Sequence, residues 1–527
     1  MEVPPPWLSS LAVLLVTALF LAAAVLRRRG ARNKRRYNLP PGPRPRPVIG
    51  NLNLIGPLPH QSIRELSARH GPLMSLRFGS FPVVVGSSVA AAEFFLRTHD
   101  LAFLDRPRMA CGKHTVYNYS GMLWSHYGAY WRQLRKLWLT ELLSARQLRR
   151  TEHVRAEEVR ALLSDIRRAA GGGGAAAAPV VVKEHLLMVT LNVVSRMVLG
   201  KKYVGEQQGA GAAAATPEEF RWMIEEIFFL NGVLHIGDMV PWLGWFDPNG
   251  YIPRMKRLAK MFDRFVEHVL REHEDRRRRE GPAFVPADMV DQLLQLAGDP
   301  SLDVPIDRDG VKASILELIT GGTDTSSVTV EWAMSELLRR PEVLAKLTEE
   351  LDRVVGRGRL VAEEDMPRLP YLDAVVRETM RLHPVVPLLI PRVSREDTAV
   401  GGYDIPRGTR VLVNVWAIGR DPAVWGDAAE EFRPERFVVA GGEAADVKGQ
   451  DLRLLPFGAG RRMCPAHGLG LRMVQLVLAN LMHGFKWRLP GGVPPEELSM
   501  EEKFGISVSR MDQLKAIPEP RLPEHLY

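Results

Sequence analysis

Apolar residues recur with a helical period over most of this chain, and this pattern restricts its fold strongly. Two stretches depart from it: residues 73–86 read as a β-hairpin turning at Gly79 and Ser80, and residues 403–421 as strand, turn, strand. No linker rich in Pro, Ser or Gly divides the chain after residue 50. We therefore expect one large domain over residues 51–527, mainly α with a small β portion. The clearest helical segments are residues 128–143, 218–230, 254–280, 311–339, 341–355, 371–382 and 469–485.

The amino-terminal residues 1–36 have the pattern of a membrane anchor. Residues 3–26 carry no charge, and the 20 residues 7–26 would form a helix of about 30 Å, close to the thickness of a bilayer core. Seven basic residues follow in 27–36, and positive charge favours the cytosolic side. The alternative, a cleaved signal peptide, places its charge before a shorter apolar run. We expect a single uncleaved transmembrane helix, with the amino terminus in the lumen and the body in the cytosol.

The charge and the prolines beside this segment fit the same interpretation. The net charge is +9, but residues 1–36 contribute +6 of it, because they hold seven basic residues and one acid. The excess over the rest of the chain is small, so we expect no nucleic-acid partner. Five prolines between residues 40 and 47 exclude a helix there. Residues 37–50 are therefore predicted to form a semi-rigid hinge between the membrane and the body.

Only two cysteines occur, Cys111 and Cys464, and Cys464 lies in a loop rich in Gly and Arg ahead of a helical segment. A zinc site normally needs three or four Cys or His ligands at short spacings, and His467 alone is close. A nucleophilic cysteine needs a histidine base near it in the fold, which the sequence leaves open. A haem iron needs a single axial protein ligand, and a cysteine thiolate is one of the few that occur. Cys111 is expected to be an ordinary small residue, and His467 a packing or surface group.

The neighbours of Cys464 suit a haem ligand. Glycines at positions 458 and 460 allow the backbone to turn tightly and to approach a flat ring. Pro465 favours the first turn of a helix, which would place Cys464 near a helix amino terminus that stabilises a thiolate. Arg462 is able to pair with an anion, and a haem carries two propionates.

The segment FGAGRRMCPA resembles the haem-binding loop of the cytochrome P450 family, Phe-x-x-Gly-x-Arg-x-Cys-x-Gly. Phe457, Gly460, Arg462 and Cys464 match this pattern, whereas Ala466 stands at the position of the last glycine. The resemblance implies the cytochrome P450 fold and haem b, with Cys464 as the ligand of the iron and Phe457, Gly460 and Arg462 in contact with the cofactor.

The helical segment around residues 314–340 has unusual residues at its centre. Gly321 and Gly322 each cost about 1 kcal/mol inside a helix, and buried polar residues cost more unless they are hydrogen-bonded. A hydrogen bond from Thr325 to the carbonyl of Gly321 would satisfy the hydroxyl and bend the helix. The sequence GGTDTS also resembles the oxygen-activation motif of the cytochrome P450 family. The resemblance implies that the glycines admit O₂, that Thr325 donates a hydrogen bond to bound oxygen, and that Asp324 supplies protons from solvent.

Two further motifs resemble the family's structural network. Glu378 and Arg381 stand at i, i+3 on one helix face, and an exposed pair of this kind contributes little. The segment FRPERF adds Arg436, and the resemblance to the family's Glu-x-x-Arg helix and Pro-Glu-Arg-Phe segment implies a buried network of the three.

Three more residues are implied to bind the haem propionates. Trp131 and Arg135 resemble the family's Trp-x-x-x-Arg helix, and Arg392 resembles an arginine that meets a propionate. The motifs keep the family's order, and the segments 7–26 and 39–50 together with GGTDTSS resemble its plant microsomal branch. By the same resemblance the substrate pocket is lined by residues 111–123, 315–325, 386–390 and 504–507.

The resemblance implies a haem-thiolate monooxygenase. It would insert one oxygen atom from O₂ into a lipophilic or phenolic plant metabolite, a flavonoid, other phenylpropanoid or terpenoid, with electrons from NADPH through a membrane-bound cytochrome P450 reductase. The expected place is the endoplasmic reticulum membrane, with membrane lipid around the anchor. Oxidative C–C cleavage or desaturation of a terpenoid alcohol on the same scaffold is an alternative. A haem-binding protein without turnover is a second alternative, which Asp324 and Thr325 disfavour.

Overall fold

The computed structural model describes residues 37–171, 178–203, 216–438 and 445–527. The anchor predicted over residues 7–26 lies outside these ranges. None of the helices within them combines the length and the apolar character that a bilayer crossing needs.

The described part of the chain is mostly helical, in agreement with the periodicity. Each predicted helical segment corresponds to a helix whose ends differ by a few residues, except that residues 138–142 of the first form a separate π turn. The α-helices, numbered along the chain, are α1 Pro59–His70, α2 Val89–Glu93, α3 Ala110–Thr115, α4 Ala129–Leu137, α5 Ala145–Arg150, α6 Glu152–Ala169, α7 Val182–Leu199, α8 Pro217–Gly232, α9 Ile236–Met239, α10 Tyr251–Glu280, α11 Met289–Ala297, α12 Arg308–Arg339, α13 Pro341–Val354, α14 Pro370–Leu382, α15 Val415–Ile418, α16 Pro422–Trp425 and α17 His467–Gly484.

The strands form small sheets at the edge of the helical body. The largest sheet has the order β1-β2-β7-β4, in which β2 and β7 are parallel and the other pairs antiparallel. A three-stranded sheet has the order β3-β11-β8, and β5 pairs with β6 and β9 with β10. The strands are β1 Leu73–Phe78, β2 Phe81–Gly86, β3 Val180–Val181, β4 Arg392–Val393, β5 Thr398–Val400, β6 Tyr403–Ile405, β7 Arg410–Val413, β8 Phe485–Arg488, β9 Glu502–Lys503, β10 Ser509–Arg510 and β11 Lys515–Pro520.

One of the two predicted β regions is confirmed and the other is partly wrong. Strands β1 and β2 form the hairpin over residues 73–86, with Phe78 opposite Phe81 across the turn. In residues 403–421, β6 and β7 belong to different sheets, and the second half is the short helix α15. Asn414 caps this helix by accepting a hydrogen bond from the backbone N–H of Ala417, so the apolar run after it is helical.

Helix α12 is buried along most of its length and packs against α7 and α17. It is buried on nearly all sides, and its buried residues include many polar ones beside the apolar ones. Asp307 caps its start by accepting a 2.8 Å hydrogen bond from Gly310 N–H. The helix continues without a break through Gly321 and Gly322, so the two glycines do not interrupt its backbone. What they change is the surface of the helix, which lacks side chains at these two positions.

The proline-rich segment packs on the body instead of standing free of it. The carbonyl of Pro41 accepts a 2.8 Å hydrogen bond from Ser75 N–H in β1. A Cβ atom at Gly42 would lie 1.9 Å from the carbonyl oxygen of Ser75, so only glycine permits this contact. The segment 41–50 is therefore fixed against the β1–β2 hairpin.

Candidate active site

A cavity of about 330 Å³ lies between the middle of α12, the loop that precedes α17 and the ends of α4, α7 and α8. Most of its wall is apolar. The residues predicted from the sequence that line it are Trp131, Arg135, Thr325, Arg392, Phe457, Arg462 and Cys464. Gly460 and Asp324 do not line the cavity, although Arg462 and Thr325, close to them in the sequence, do. Glu378, Arg381 and Arg436 do not line it either.

The Cys464 loop is held by its backbone and by a close approach at one glycine. Cys464 N–H donates a 2.9 Å hydrogen bond to the carbonyl of Phe457, which closes the loop. Gly458 and Gly460 have φ values of +68° and +69°, in the left-handed region that favours glycine. A Cβ at Gly460 would lie 1.9 Å from the carbonyl oxygen of Leu96. Glycine at this position is thus required both by the backbone and by its neighbour.

The electrostatics of Cys464 differ from the expectation. Helix α17 begins at His467, so Pro465 lies in a turn before it and not in its first turn. Burial raises the pKa of the Cys464 thiol, and this effect outweighs the Ala466 N–H and the Arg135 guanidinium, which lower it. The chain alone therefore does not stabilise a thiolate. A metal ion held by Cys464 would supply the missing positive charge, since a coordinating thiol loses its proton.

Four arginines surround one end of the cavity. Arg135, Arg392 and Arg462 were expected there, whereas Arg106 was missed. Burial lowers the pKa of all four, to about 10 for Arg392. The pKa of Arg462 is lowered to about 9 by burial together with repulsion from Arg392. Among the described residues, none of the four has a carboxylate within 4.0 Å. Their observed hydrogen bonds go to backbone carbonyls.

This cluster fits the two carboxylates of haem b. Several buried cations without an anion are costly, and an anionic group in the cavity removes the cost. The guanidinium of Arg462 lies 4.4 Å above the ring of Trp131, whose Nε1 donates a 3.1 Å hydrogen bond to the carbonyl of Met122. Trp131 therefore packs against the guanidinium of Arg462, and a propionate would be bound by the arginine without a direct contact to the indole ring. Cys464 in the same cavity is free to serve as the axial ligand.

The two glycines of α12 have different surroundings. A Cβ at Gly321 would meet nothing within 4 Å, whereas a Cβ at Gly322 would lie 2.8 Å from Cγ2 of Val194 in α7. Gly321 thus opens the cavity, and Gly322 permits the close packing of α7 on α12. Thr325 Oγ1 donates a 2.8 Å hydrogen bond to the carbonyl of Gly321 and faces the cavity.

Asp324 is only 3% exposed, and its Oδ2 accepts a 2.6 Å hydrogen bond from the hydroxyl of Ser507. Ser507 follows Ile506, which lines the cavity, on the loop between β9 and β10. Asp324 itself therefore has little contact with solvent. Its role in proton supply remains a prediction, with Ser507 as the group that contacts it.

The network of Glu378, Arg381 and Arg436 lies in the core. Arg381 Nε and Nη2 donate to the two carboxylate oxygens of Glu378 at 2.6 and 2.7 Å, and Arg436 Nε donates to Oε1 at 3.0 Å. Glu378 is fully buried and Arg381 is 1% exposed. The three side chains fix α14 to the segment 432–437.

Glu317 is a further polar group of the cavity; the sequence analysis included it in the predicted lining 315–325 but assigned it no role. Burial raises the pKa of Glu317 to about 7, although the N–H groups of Leu123 and Met122 and the charge of Arg462 lower it. The signal was present in the spacing: Glu317, Gly321 and Thr325 are four residues apart and share one face of α12. Asn231, near the end of α8, also lines the cavity, and no motif identified it.

Known proteins are similar to this chain in sequence. A family model described as Cytochrome P450 matches residues 40–512. A trimethyltridecatetraene synthase of Zea mays is 51% identical over 93% of this chain and 90% of its own length. A dimethylnonatriene synthase of Zea mays is 50% identical over 98% of both chains. A flavonoid 3′-monooxygenase of Crocosmia x crocosmiiflora is 42% identical over 99% of both.

The fold has a similar solved structure. A zebrafish cytochrome P450, in a structure with Abiraterone, shares 26% sequence identity and a TM-score of 0.71. The similarity covers 88% of this chain and 100% of that chain. The mainly helical body with small sheets therefore has the same fold.

Proposed function

The chain belongs to the cytochrome P450 family, and on this basis we propose that it cleaves one carbon–carbon bond of an acyclic isoprenoid alcohol and releases an unsaturated hydrocarbon. Its class is that of a haem-thiolate monooxygenase, and its relatives include plant enzymes. The proposal concerns the substrate and the outcome of the oxidation.

The observation that carries the substrate class is the apolar wall of the cavity. The segment 385–390 and the helices α7 and α8 contribute mainly aliphatic and aromatic side chains, among them Val194, Ile227 and Phe228. Such a wall favours an extended hydrocarbon chain. The four arginines at one end would pair with the haem carboxylates and would then not select an acidic substrate.

The relatives narrow the choice within this class. Identity is higher to the two synthases, at 51% and 50%, than to the flavonoid enzyme, at 42%. Their names denote hydrocarbons of sixteen and eleven carbons. Isoprenoids are built from units of five carbons, so each of these products is four carbons short of a regular skeleton. Loss of a four-carbon fragment accounts for both.

The proposed reaction balances with the usual reagents of the class. The alcohol, one O₂, two electrons and two protons give the shortened hydrocarbon, a four-carbon carbonyl compound that keeps one oxygen atom, and two molecules of water. A haem with a thiolate ligand supplies the activation of O₂ when it is bound. The chain itself binds and orients the substrate, keeps bulk water away and moves protons.

We assign these tasks to the residues of the site. Cys464 would ligate the iron, and the arginines would hold the cofactor at its carboxylates. Thr325 faces the cavity with its hydroxyl, and Asp324 is the next residue of the same helix. Together they would deliver protons to the reacting oxygen. The electrons would come from NADPH through a membrane-bound cytochrome P450 reductase.

A place in the endoplasmic reticulum membrane is part of the proposal. Residues 7–26 would cross the bilayer once, with residues 37–527 on the cytosolic side. An apolar rim on the body supports this orientation. It consists of the exposed residues Val48, Ile49, Trp242, Trp245 and Phe246, of which Trp245 is 81% exposed. The segments around residues 49 and 239 both bond to the β1–β2 turn, through the carbonyls of Ile49 and Met239, so the two parts of the rim flank one edge of the body.

A second candidate function is hydroxylation of a flavonoid. It is favoured by the flavonoid 3′-monooxygenase, which is 42% identical over 99% of the chain. The same cavity and proton-supplying residues serve both reactions.

The two functions are separated by products. The full-length protein would be produced in microsomes with a plant reductase and NADPH and supplied with acyclic fifteen- and twenty-carbon isoprenoid alcohols or with flavonoids. We expect hydrocarbons of eleven and sixteen carbons, detected by gas chromatography and mass spectrometry. Hydroxylated flavonoids without any hydrocarbon would contradict the proposal and establish the second function.

A further inference from the structure

Glu317 places a carboxylate in a cavity that is otherwise mostly apolar. It is the one acid among the described residues that line the cavity. The side chain keeps accessible surface although protein surrounds it, because that surface faces the interior space. A buried carboxylate costs folding free energy unless hydrogen bonds or a nearby positive charge compensate it.

The protein holds this carboxylate in one position. Met122 N–H donates a 2.7 Å hydrogen bond to Oε2, and Leu123 N–H donates a 3.1 Å hydrogen bond to Oε1. A Cβ at Gly121 would lie 2.1 Å from Oε1, so glycine at this position makes the contact possible. The loop over residues 121–123 and α12 are thereby joined at the carboxylate, and its orientation toward the cavity is fixed before a ligand arrives.

The two backbone N–H donors leave acceptor sites of the Glu317 carboxylate unused. Its two oxygens offer about four acceptor sites, and a hydroxyl group is a donor that suits the remainder. The proposed substrate is an alcohol, and Glu317 is the one carboxylate that the described wall of the cavity offers to its hydroxyl. The side-chain amide of Asn231 also lines the cavity and could in principle accept from a hydroxyl. However, its Oδ1 already accepts from Trp124 Nε1 and its Nδ2 donates to the carbonyl of Ile227.

We infer that Glu317 is the hydroxyl-binding residue of the substrate cavity: its carboxylate accepts a hydrogen bond from the hydroxyl of an alcohol substrate and so sets the orientation of the hydrocarbon chain. This inference rests on the proposed function. It makes Glu317 a positioning residue for the substrate, next to the structural task of joining the loop to α12.

The test compares an acyclic fifteen-carbon isoprenoid alcohol with its methyl ether. Binding to the haem-loaded protein is followed by the change in the haem absorption spectrum, which does not depend on turnover. The wild-type protein is expected to prefer the alcohol, because the ether has no hydrogen to donate. In Glu317→Met this preference should fall about tenfold, the factor for one hydrogen bond to a charged group. Glu317→Gln keeps the size and a neutral acceptor and should lose less.

A loop control separates recognition from loosening of the structure. Tyr130 donates a 2.7 Å hydrogen bond to the carbonyl of Ser120 and does not line the cavity. Tyr130→Phe weakens the same loop, so it should change the affinities for alcohol and ether alike and leave their ratio unchanged. An equal loss of the ratio in Tyr130→Phe and Glu317→Met would overturn the inference, as would a ratio that Glu317→Met leaves intact.

The proposed function is judged by a separate outcome. Hydrocarbon formation from the alcohol, combined with equal binding of alcohol and ether by the wild-type protein, would refute the role of Glu317 and leave the function standing. Failure of the wild-type protein both to bind and to convert the alcohol would refute the function, and the inference with it.

Discussion

The hydroxyl of Ser507 donates a 2.6 Å hydrogen bond to Oδ2 of Asp324, and both side chains are buried. The contact joins α12 to the loop between β9 and β10. This loop is itself tied to the end of α8, because Ile506 N–H donates a 3.0 Å hydrogen bond to the carbonyl of Phe228. Ile506 and Phe228 both line the cavity, so residues of the cavity wall adjoin Ser507, which bonds to Asp324.

Replacing Ser507 should therefore disturb proton supply. In Ser507→Ala the carboxylate of Asp324 loses its fixed orientation, and the yield of product per NADPH should fall by about fivefold, the factor for about 1 kcal/mol in one hydrogen bond. Ser507→Thr should restore most of the yield. Ser335→Ala is the control, because the hydroxyl of this buried serine of α12 bonds, among the described residues, only to the carbonyl of Glu331. An unchanged yield in Ser507→Ala would remove the residue from the path.

Much of the architecture was accessible from periodicity. The long helices were predicted because their apolar residues repeat over many turns, and the β1–β2 hairpin because two β-prone runs flank Gly79 and Ser80. In the region 403–421 the two predicted strands are present, but the second ends at Val413. This end was missed, since a short apolar run such as that after Asn414 has no period that distinguishes a strand from a helix. Its capping hydrogen bond decided the outcome.

The candidate site was only partly accessible for a different reason. Motifs locate residues whose spacing is fixed, such as Cys464 with its glycines. Arg106 has no such partner in the sequence, since its neighbours at the cavity come from 17 to 285 positions away. Glu317 was recoverable from helical spacing, because it lies one and two turns before Gly321 and Thr325.

The two cysteines should respond differently to substitution. Cys464 lines the cavity, whereas Cys111 is buried in α3 away from it. Cys464→Ser should abolish the absorption band of the reduced carbonyl complex that marks a thiolate-bound haem. Cys111→Ala should keep that band, since it removes only one small buried side chain. A band that survives in Cys464→Ser would refute the ligand assignment.

Arg106 should have opposite effects on the haem-free and the haem-loaded protein. Its guanidinium is buried beside Arg462 and Arg392, and both lower its pKa. Arg106→Met should stabilise the haem-free chain by about 1–3 kcal/mol, as replacement of uncompensated buried charge does. It should also weaken haem retention, which absorbance per protein reports.

The exposed Arg108, two residues further along, provides the matched control for Arg106. Arg108→Met should change neither the stability of the haem-free chain nor the retention of haem. Equal destabilisation of the haem-free and haem-loaded forms by Arg106→Met would mean that this arginine only packs.

Glu378 should be far more important for stability than an exposed acid. Glu378→Gln leaves Arg381 and Arg436 without their shared carboxylate in the core, and about 3–5 kcal/mol of unfolding free energy should be lost. Asp165→Asn breaks an exposed pair with Arg168, so its effect should stay below about 1 kcal/mol. Denaturant unfolding measures both losses of unfolding free energy. Similar losses in the two variants would show that the buried network stabilises the fold no more than an exposed ion pair does.

His483 should make the protein sensitive to acid. Burial and, to a smaller extent, the charge of Arg521 lower the pKa of His483 to about 4. Neither ring nitrogen has a hydrogen-bond partner among the described residues. The unfolded chain takes up a proton near pH 6.5 and the folded chain does not until about pH 4. The contribution of His483 is therefore fully present above about pH 6.5 and is lost as the pH falls toward 4, by about 3 kcal/mol in all.

The substitution His483→Leu should remove this part of the pH dependence. Unfolding free energies of the full-length protein, measured in denaturant between pH 7.5 and pH 4.5 (roughly the window of the shift), should fall less steeply in the variant than in the wild type. His153→Leu is the control, because His153 is exposed on α6 and should leave the slope as it is. A slope that both variants share with the wild type would mean that the acid sensitivity arises from other buried groups, and that the ring of His483 finds water or a partner when it becomes protonated.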